Sequence, residues 1–156
     1  MLLEERLKTL SKLNANPKFI NRQLYRMLYN EDFYILAYER LKTNRGAMTA
    51  GINKAGNVDG MNMDIIRSII HKLKDESYRP KPARRTYIPK ANGKLSPLGM
   101  PNFKDKLVQE CIKIILTCIY DGNEKPTFSD DSYGFRTGRG CHQAIKKGES
   151  LFKGVI

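Results

Sequence analysis

Leu3, Leu7, Leu10 and Leu13 recur at close to i, i+4, i+7, a spacing that keeps apolar side chains on one helical face and predicts a short amphipathic helix over residues 1–13. Residues 14–17 end it. Residues 22–29, with Leu24, Met27 and Leu28 to one side, predict a second helix. Residues 32–43 predict a third, with Phe33, Leu36, Ala37, Arg40 and Leu41 on a mostly apolar face. Asn30 or Glu31 divides these two, and one bent helix is the alternative. Further on, Ile66, Ile69, Ile70 and Leu73 repeat at i, i+3, i+4, i+7 and predict a helix over 61–75, with His71 off the stripe and on the surface. The densest pattern lies in 103–120. There Leu107, Val108, Cys111, Ile112, Ile114, Ile115, Cys118 and Ile119 form a stripe wider than one face, which predicts a core helix covered on two sides. Asn102 is placed to cap it and Asp105 to complete a capping box. Residues 121–132 read as a polar loop, 142–150 as a last helix, and 151–156 as the first half of a β-strand.

Residues 78–101, YRPKPARRTYIPKANGKLSPLGMP, follow a different rule. Pro80, Pro82, Pro89, Pro97 and Pro101 forbid a helix, because each lacks a backbone donor and fixes φ. Two short extended runs, 83–88 and 94–99, are joined by Ala91-Asn92-Gly93. Asn-Gly at that place predicts a β-hairpin with a primed turn, since both residues tolerate positive φ. The chain is therefore expected to be α+β, mostly helical with one hairpin. Arg79, Lys81, Arg84, Arg85, Lys90 and Lys94 line the ribbon, and no carboxylate interrupts them. Adjacent strand residues point to opposite faces, so Arg84 and Arg85 are divided between the two.

Charge extends this picture to the whole chain. Over 156 residues the formal net charge is +12, with a pI near 9.7, which points to a polyanionic partner. A hydrophobic content of 40% with mean hydropathy of −0.52 fits one cored domain, or one with an appended N-terminal piece, carrying a large polar surface. Residues 44–60, NRGAMTAGINKAGNVDG, are too glycine-rich for a helix or strand. They read either as a flexible linker or as a functional loop in which Arg45 and Lys54 lie along a nucleic-acid strand. Cys111 and Cys118 fall inside an apolar helical pattern and read as core residues. Cys141-His142 has no second ligand pair, so no metal site is expected. No apolar run approaches the roughly 18 residues needed to span a bilayer, and Leu2-Leu3 followed by Glu4-Glu5 is not a signal peptide. The expectation is a cytoplasmic chain with reduced thiols and no membrane partner.

The stretch RPKPARRTYIPKANGKLSPLGMPNFKDKLVQECIKIIL, followed by YGFRTGRGCHQAI, resembles in order and spacing the fingers region of group II intron-encoded reverse transcriptases and maturases. Upstream, MLYNEDFYILAYERLKTNRGA and VDGM are similar to the N-terminal extension of the same family. The resemblance runs from about residue 23 to 156. It implies the fingers subdomain of a right-hand polymerase, with the palm absent from this chain. Residues 1–60 would be a helical N-terminal extension with a template-contacting glycine-rich loop, and 61–156 the fingers, ending at the start of the first palm strand. In that family the catalytic aspartates lie on the strand after the YGFR block and in a later Tyr-Ala-Asp-Asp turn, neither of which occurs in these residues.

The resemblance therefore implies an RNA-directed DNA polymerase in the intact protein, using Mg²⁺ ions clamped by carboxylates. This chain alone is expected to be inactive and to bind no metal, and Asp130-Asp131 is not expected to substitute. Lys90 matches the lysine of the family's I-P-K element, which approaches the triphosphate of the incoming nucleotide. Ser96 stands where the family usually has arginine, and Lys94 is the candidate replacement. Arg84 and Arg85 match an arginine pair on the first ribbon strand, and Arg136 resembles an arginine that links fingers to palm and template. Thr137 replaces a common proline, and the loop over 121–127 is longer than usual. The expected RNA- or template-binding residues are thus Arg45, Lys54, Arg79, Lys81, Arg84, Arg85, Arg136 and Arg139, with Lys90 and Lys94 for the nucleotide. The partners implied are intron RNA and an RNA template, with DNA in the intact protein. Self-association is expected if the palm-facing surface is exposed. Two alternatives stay open: a stand-alone or degenerate RNA-binding module, and part of a CRISPR-associated or diversity-generating reverse transcriptase.

Overall fold

The computed structural model describes residues 2–44, 46, 49–52, 60–122 and 127–153. The elements in order are α1 (Leu3–Asn14), α2 (Leu24–Met27), α3 (Glu31–Lys42), α4 (Met63–Lys74), β1 (Arg84–Pro89), β2 (Leu95–Met100), α5 (Phe103–Tyr120) and α6 (Cys141–Phe152). Helices together with a two-stranded antiparallel sheet agree with an α+β chain. The contacts group into two compact units that do not follow chain order: Ile20–Ile115, and Met1–Phe19 with Leu116–Ile156.

In the unit Ile20–Ile115, α2 and α3 are separate helices. The Asn30 side chain accepts from the Asp32 N–H at 2.9 Å and caps α3. The buried Tyr34 hydroxyl donates to the Leu28 carbonyl at 2.9 Å and fastens the intervening turn to α3. Asn62 caps α4 through the Ile65 N–H at 2.9 Å. The α4 stripe Ile66, Ile69, Ile70 and Leu73 is buried throughout, as its spacing predicts. Phe33, Tyr34 and Ala37 of α3 are buried, and so are Phe103, Leu107, Val108, Cys111, Ile114 and Ile115 of α5. Phe103 packs against Tyr38, Leu41 and Met61, with the Tyr38 ring edge-on at 6.2 Å. Each fully buried aliphatic side chain contributes about 1.5–3 kcal/mol. The two-sided cover expected for α5 is incomplete, since Ile112 and Leu116 remain 39% and 42% exposed. The described part of the glycine-rich stretch lies on the first turn of α5. A Cβ at Gly51 would come within 2.8 Å of the Asn102 backbone, and Lys106 Nζ donates to the Thr49 carbonyl at 3.1 Å.

β1 and β2 pair with Arg84 opposite Met100 and Pro89 opposite Leu95. The turn differs from the primed form expected. Lys90 donates its N–H to the Lys94 carbonyl at 2.7 Å, and Gly93 donates to the Lys90 carbonyl at 2.9 Å. Gly93, with φ of 76°, is the turn residue in the left-handed region. Three residues separate the paired lysines, a length that favours a type I turn closed by a glycine bulge. Counting in twos from the Lys90 bond puts Pro89 and Pro97 at positions that face away from the ladder, where a missing N–H costs nothing.

In the second unit Leu10 of α1 is buried. At the start of α6 the Gly140 N–H donates to Gln143 Oε1 at 2.7 Å. This helix corrects one expectation: Leu151 and Phe152 form its last turn instead of opening a strand. The Lys153 N–H donates to the Glu149 carbonyl at 3.1 Å, so the helical ladder carries through them. Residues 154–156 lie outside the described residues. No helix among the described residues is long and apolar enough to cross a membrane.

Candidate nucleic-acid interface

Asp105 fixes the base of the hairpin. It is buried in the first turn of α5, and both its oxygens are engaged. Oδ1 accepts from the Tyr78 hydroxyl at 2.6 Å and Oδ2 from the Lys81 N–H at 3.2 Å. β2 runs into α5 through Pro101 and Asn102, so both ends of the hairpin meet the same helical turn. Burial and then the bond to Asp105 hold the Tyr78 hydroxyl above its ordinary pKa of 10.0, which keeps it a donor. Arg79 is exposed, and its Nη1 donates to the Glu76 and Tyr78 carbonyls at 2.8 and 3.0 Å.

The register sorts the cations by face. Arg84 of β1 shares a face with Lys90, Lys94 and Ser96, and Arg85 lies on the other with Tyr87, Leu95 and Pro97. Lys90 and Lys94 come together at the tip, and Arg84 sits at the base with its Nη2 3.8 Å from Met100 Sδ. Lys81, Arg84, Arg85, Lys90 and Lys94 are all exposed. None of these, nor Arg79, forms an ion pair among the described residues, whereas Arg40, Arg67, Arg136 and Arg139 do. Exposed cations without a carboxylate partner are free to neutralise phosphate and release its counterions.

The YGFR block is organised differently. Arg136 donates from Nε and Nη2 to Asp121 Oδ1 at 2.9 and 2.6 Å, and from Nη1 to the carbonyls of Ser129 and Ser132 at 3.2 and 3.0 Å. Its guanidinium lies 5.2 Å from the Phe128 ring centre, and its side chain is 7% exposed. Those donors are spent on shaping the loop. Arg139 is bonded to Asp130 and lies over Tyr133 at 5.7 Å. Phe135, which sequence reasoning passed over, is fully exposed with φ of 59°. The only signal in the sequence was an aromatic set between Gly134 and Arg136. Arg45 and Lys54 lie outside the described residues.

The described residues do not fit a two-metal centre. Among the described residues no three His, Cys, Asp or Glu side chains converge. Asp130 pairs with Arg139 and Asp131 with Lys147.

Comparison with known proteins adds a lineage to this geometry. No protein-family model matches the chain. It is 44% identical over 156 residues to the group II intron-encoded protein LtrA of Lactococcus lactis subsp. cremoris, a match covering 99% of this chain and 25% of that protein. It is 43% identical over 152 residues to an uncharacterized 91 kDa protein in cob intron of Schizosaccharomyces pombe, covering 96% of this chain and 18% of the relative. A putative COX1/OXI3 intron 1 protein of Saccharomyces cerevisiae is 36% identical over 141 residues, covering 90% and 16%. The chain thus spans about a quarter of the length of its Lactococcus relative. Over nearly its whole length, this chain is similar in sequence to group II intron-encoded proteins.

Proposed function

We propose that the chain is the N-terminal extension and fingers region of a group II intron reverse transcriptase and maturase, and that its hairpin grips RNA. The observation that carries this reading is the hairpin itself, which presents exposed cations on both faces and no carboxylate. Arg79, Lys81, Arg84 and Arg85 contact the backbone of intron RNA and template, joined by Arg45 and Lys54 from the glycine-rich stretch. Lys90 and Lys94 approach the triphosphate of the incoming nucleotide, where a compact ammonium on a flexible stem suits a mobile phosphate. Arg136 acts as a positioning residue for the loop that carries Arg139. In the intact protein this surface serves RNA-directed DNA synthesis and intron splicing in the cytoplasm, with Mg²⁺ and its carboxylates supplied by residues outside this chain. Exposed Tyr87, Leu95 and Leu98 give the hairpin a surface for self-association at low salt.

The test compares affinity for a structured group II intron RNA with that for a length-matched scrambled RNA, between about 50 and 200 mM salt. A preference of about 10-fold, or about 1.4 kcal/mol, throughout this range is expected. Equal binding that fades alike with salt would remove the maturase part of the reading.

A further inference from the structure

Glu76 occupies a position the fold does not favour for it. It follows the last turn of α4 with φ of 58°, the left-handed site where glycine is the usual residue. It also adds an anion to the negative end of the helix dipole. Its neighbour Asp75 offsets the same penalty. That carboxylate accepts from the Ser77 N–H and hydroxyl at 3.0 and 2.6 Å and pairs with His71 at 3.2 Å. The Glu76 carboxylate has no hydrogen-bond or ion-pair partner among the described residues. Glu76 is exposed, so its carboxylate is open to a ligand, and left-handed non-glycine residues of this kind cluster at ligand sites.

Glu76 lines a cavity of about 570 Å³, within the size range of small-ligand sites. Leu28, Leu73 and Val108 give it an apolar lining, and Tyr25 and Tyr78 add aromatic surface. The hydroxyls of both tyrosines are already committed, Tyr25 to the Leu73 carbonyl at 3.0 Å and Tyr78 to Asp105. Arg79, with Nε and Nη2 uncommitted among the described residues, and the exposed Gln109 complete the lining.

We propose that this cavity takes an unpaired guanine base of the bound RNA, a deepening that rests on the RNA-binding reading above. Guanine presents two adjacent donors on its Watson–Crick edge, N1–H and the 2-amino group, which a carboxylate accepts together. Adenine presents an acceptor at N1, which a carboxylate repels. Arg79 donates to O6 and N7, the pairing it commonly makes with guanine, and the tyrosine rings supply a stacking surface.

The experiment measures affinity for a uridine-rich single-stranded RNA carrying one central guanosine, and for the same strand with inosine, which lacks the 2-amino group, or adenosine at that position. The guanosine strand is expected to bind about 10-fold more tightly than either, in line with the discrimination of a bidentate contact. Glu76→Gln abolishes the preference. Glu76→Gly also abolishes it while raising Tm, because glycine relieves the left-handed backbone. Equal binding of the three strands by the unaltered protein, or a preference that survives Glu76→Gly, overturns the guanine site and leaves RNA binding standing. Failure to bind any of the strands overturns the RNA reading and the site together.

Discussion

Lys90 and Lys94 face each other across the hairpin turn, joined by the 2.7 Å bond from the Lys90 N–H to the Lys94 carbonyl. The two ammonium groups share a face, and no carboxylate of the described residues pairs with either. Like charges directly opposite destabilise a ladder. The tip therefore holds a repulsion that a bound phosphate relieves. Lys94→Glu converts it to an attractive pair, so the Lys90 amide is expected to exchange more slowly with deuterium while affinity for RNA falls. Faster exchange in this variant would count against a repulsive tip.

Asp105 is expected to be the most sensitive polar position of the hairpin base. Asp105→Ala strands the Tyr78 hydroxyl and the Lys81 N–H and should cost about 1–3 kcal/mol, and Tyr78→Phe about 0.5–1.5 kcal/mol. Because the two residues share one bond, the double variant should cost less than the sum. Urea unfolding of the four proteins measures this, and strict additivity would deny the coupling.

Arg136→Ala leaves the mostly buried Asp121 carboxylate unpaired and should cost about 3–5 kcal/mol in urea unfolding. Arg136→Lys is expected to recover little of it, since one ammonium cannot reach Asp121 and the Ser129 and Ser132 carbonyls as the planar fork does. Where folded, both variants should keep the hairpin's RNA affinity. A large loss of affinity without loss of stability would make Arg136 a direct contact.

The cysteines should separate cleanly by reactivity. Cys111 is buried, and burial, with the Glu110 charge second, pushes its thiol up to about 12. Cys141 is exposed. Iodoacetamide near pH 8 should modify Cys141 in the native protein and reach Cys111 only after denaturation, as read by mass spectrometry. Early labelling of Cys111 would contradict the packing of α5.

Much of this architecture was legible because its causes are local. The α4 stripe, the α5 pattern and the proline-bounded hairpin each follow from residues a few positions apart. Other features depend on distant partners. Phe135 and Arg136 are neighbours in sequence, yet the cation is buried and the phenyl exposed, because Asp121 and the Ser129 and Ser132 carbonyls capture the guanidinium. The cavity beside Glu76 brings Tyr25, Leu73 and Val108 together from three helical segments, and no periodicity announces it. Leu151 and Phe152 belong to a short apolar run, and such runs do not distinguish strand from helix. The primed turn failed by a single residue of loop length, since Asn-Gly occurs in both kinds of hairpin connection.

The central claim is that the carboxylate-free hairpin supplies the electrostatic hold on RNA. It is tested most directly by the salt dependence of affinity for the chain and for a variant with Arg79, Lys81, Arg84 and Arg85 all changed to glutamine. For ~5 phosphate contacts the unaltered chain should give a slope of log affinity against log salt of about −3.5 to −4.5, and the variant a slope shallower by about 3. An unchanged slope in a folded variant would place the RNA-binding surface elsewhere and contradict the account.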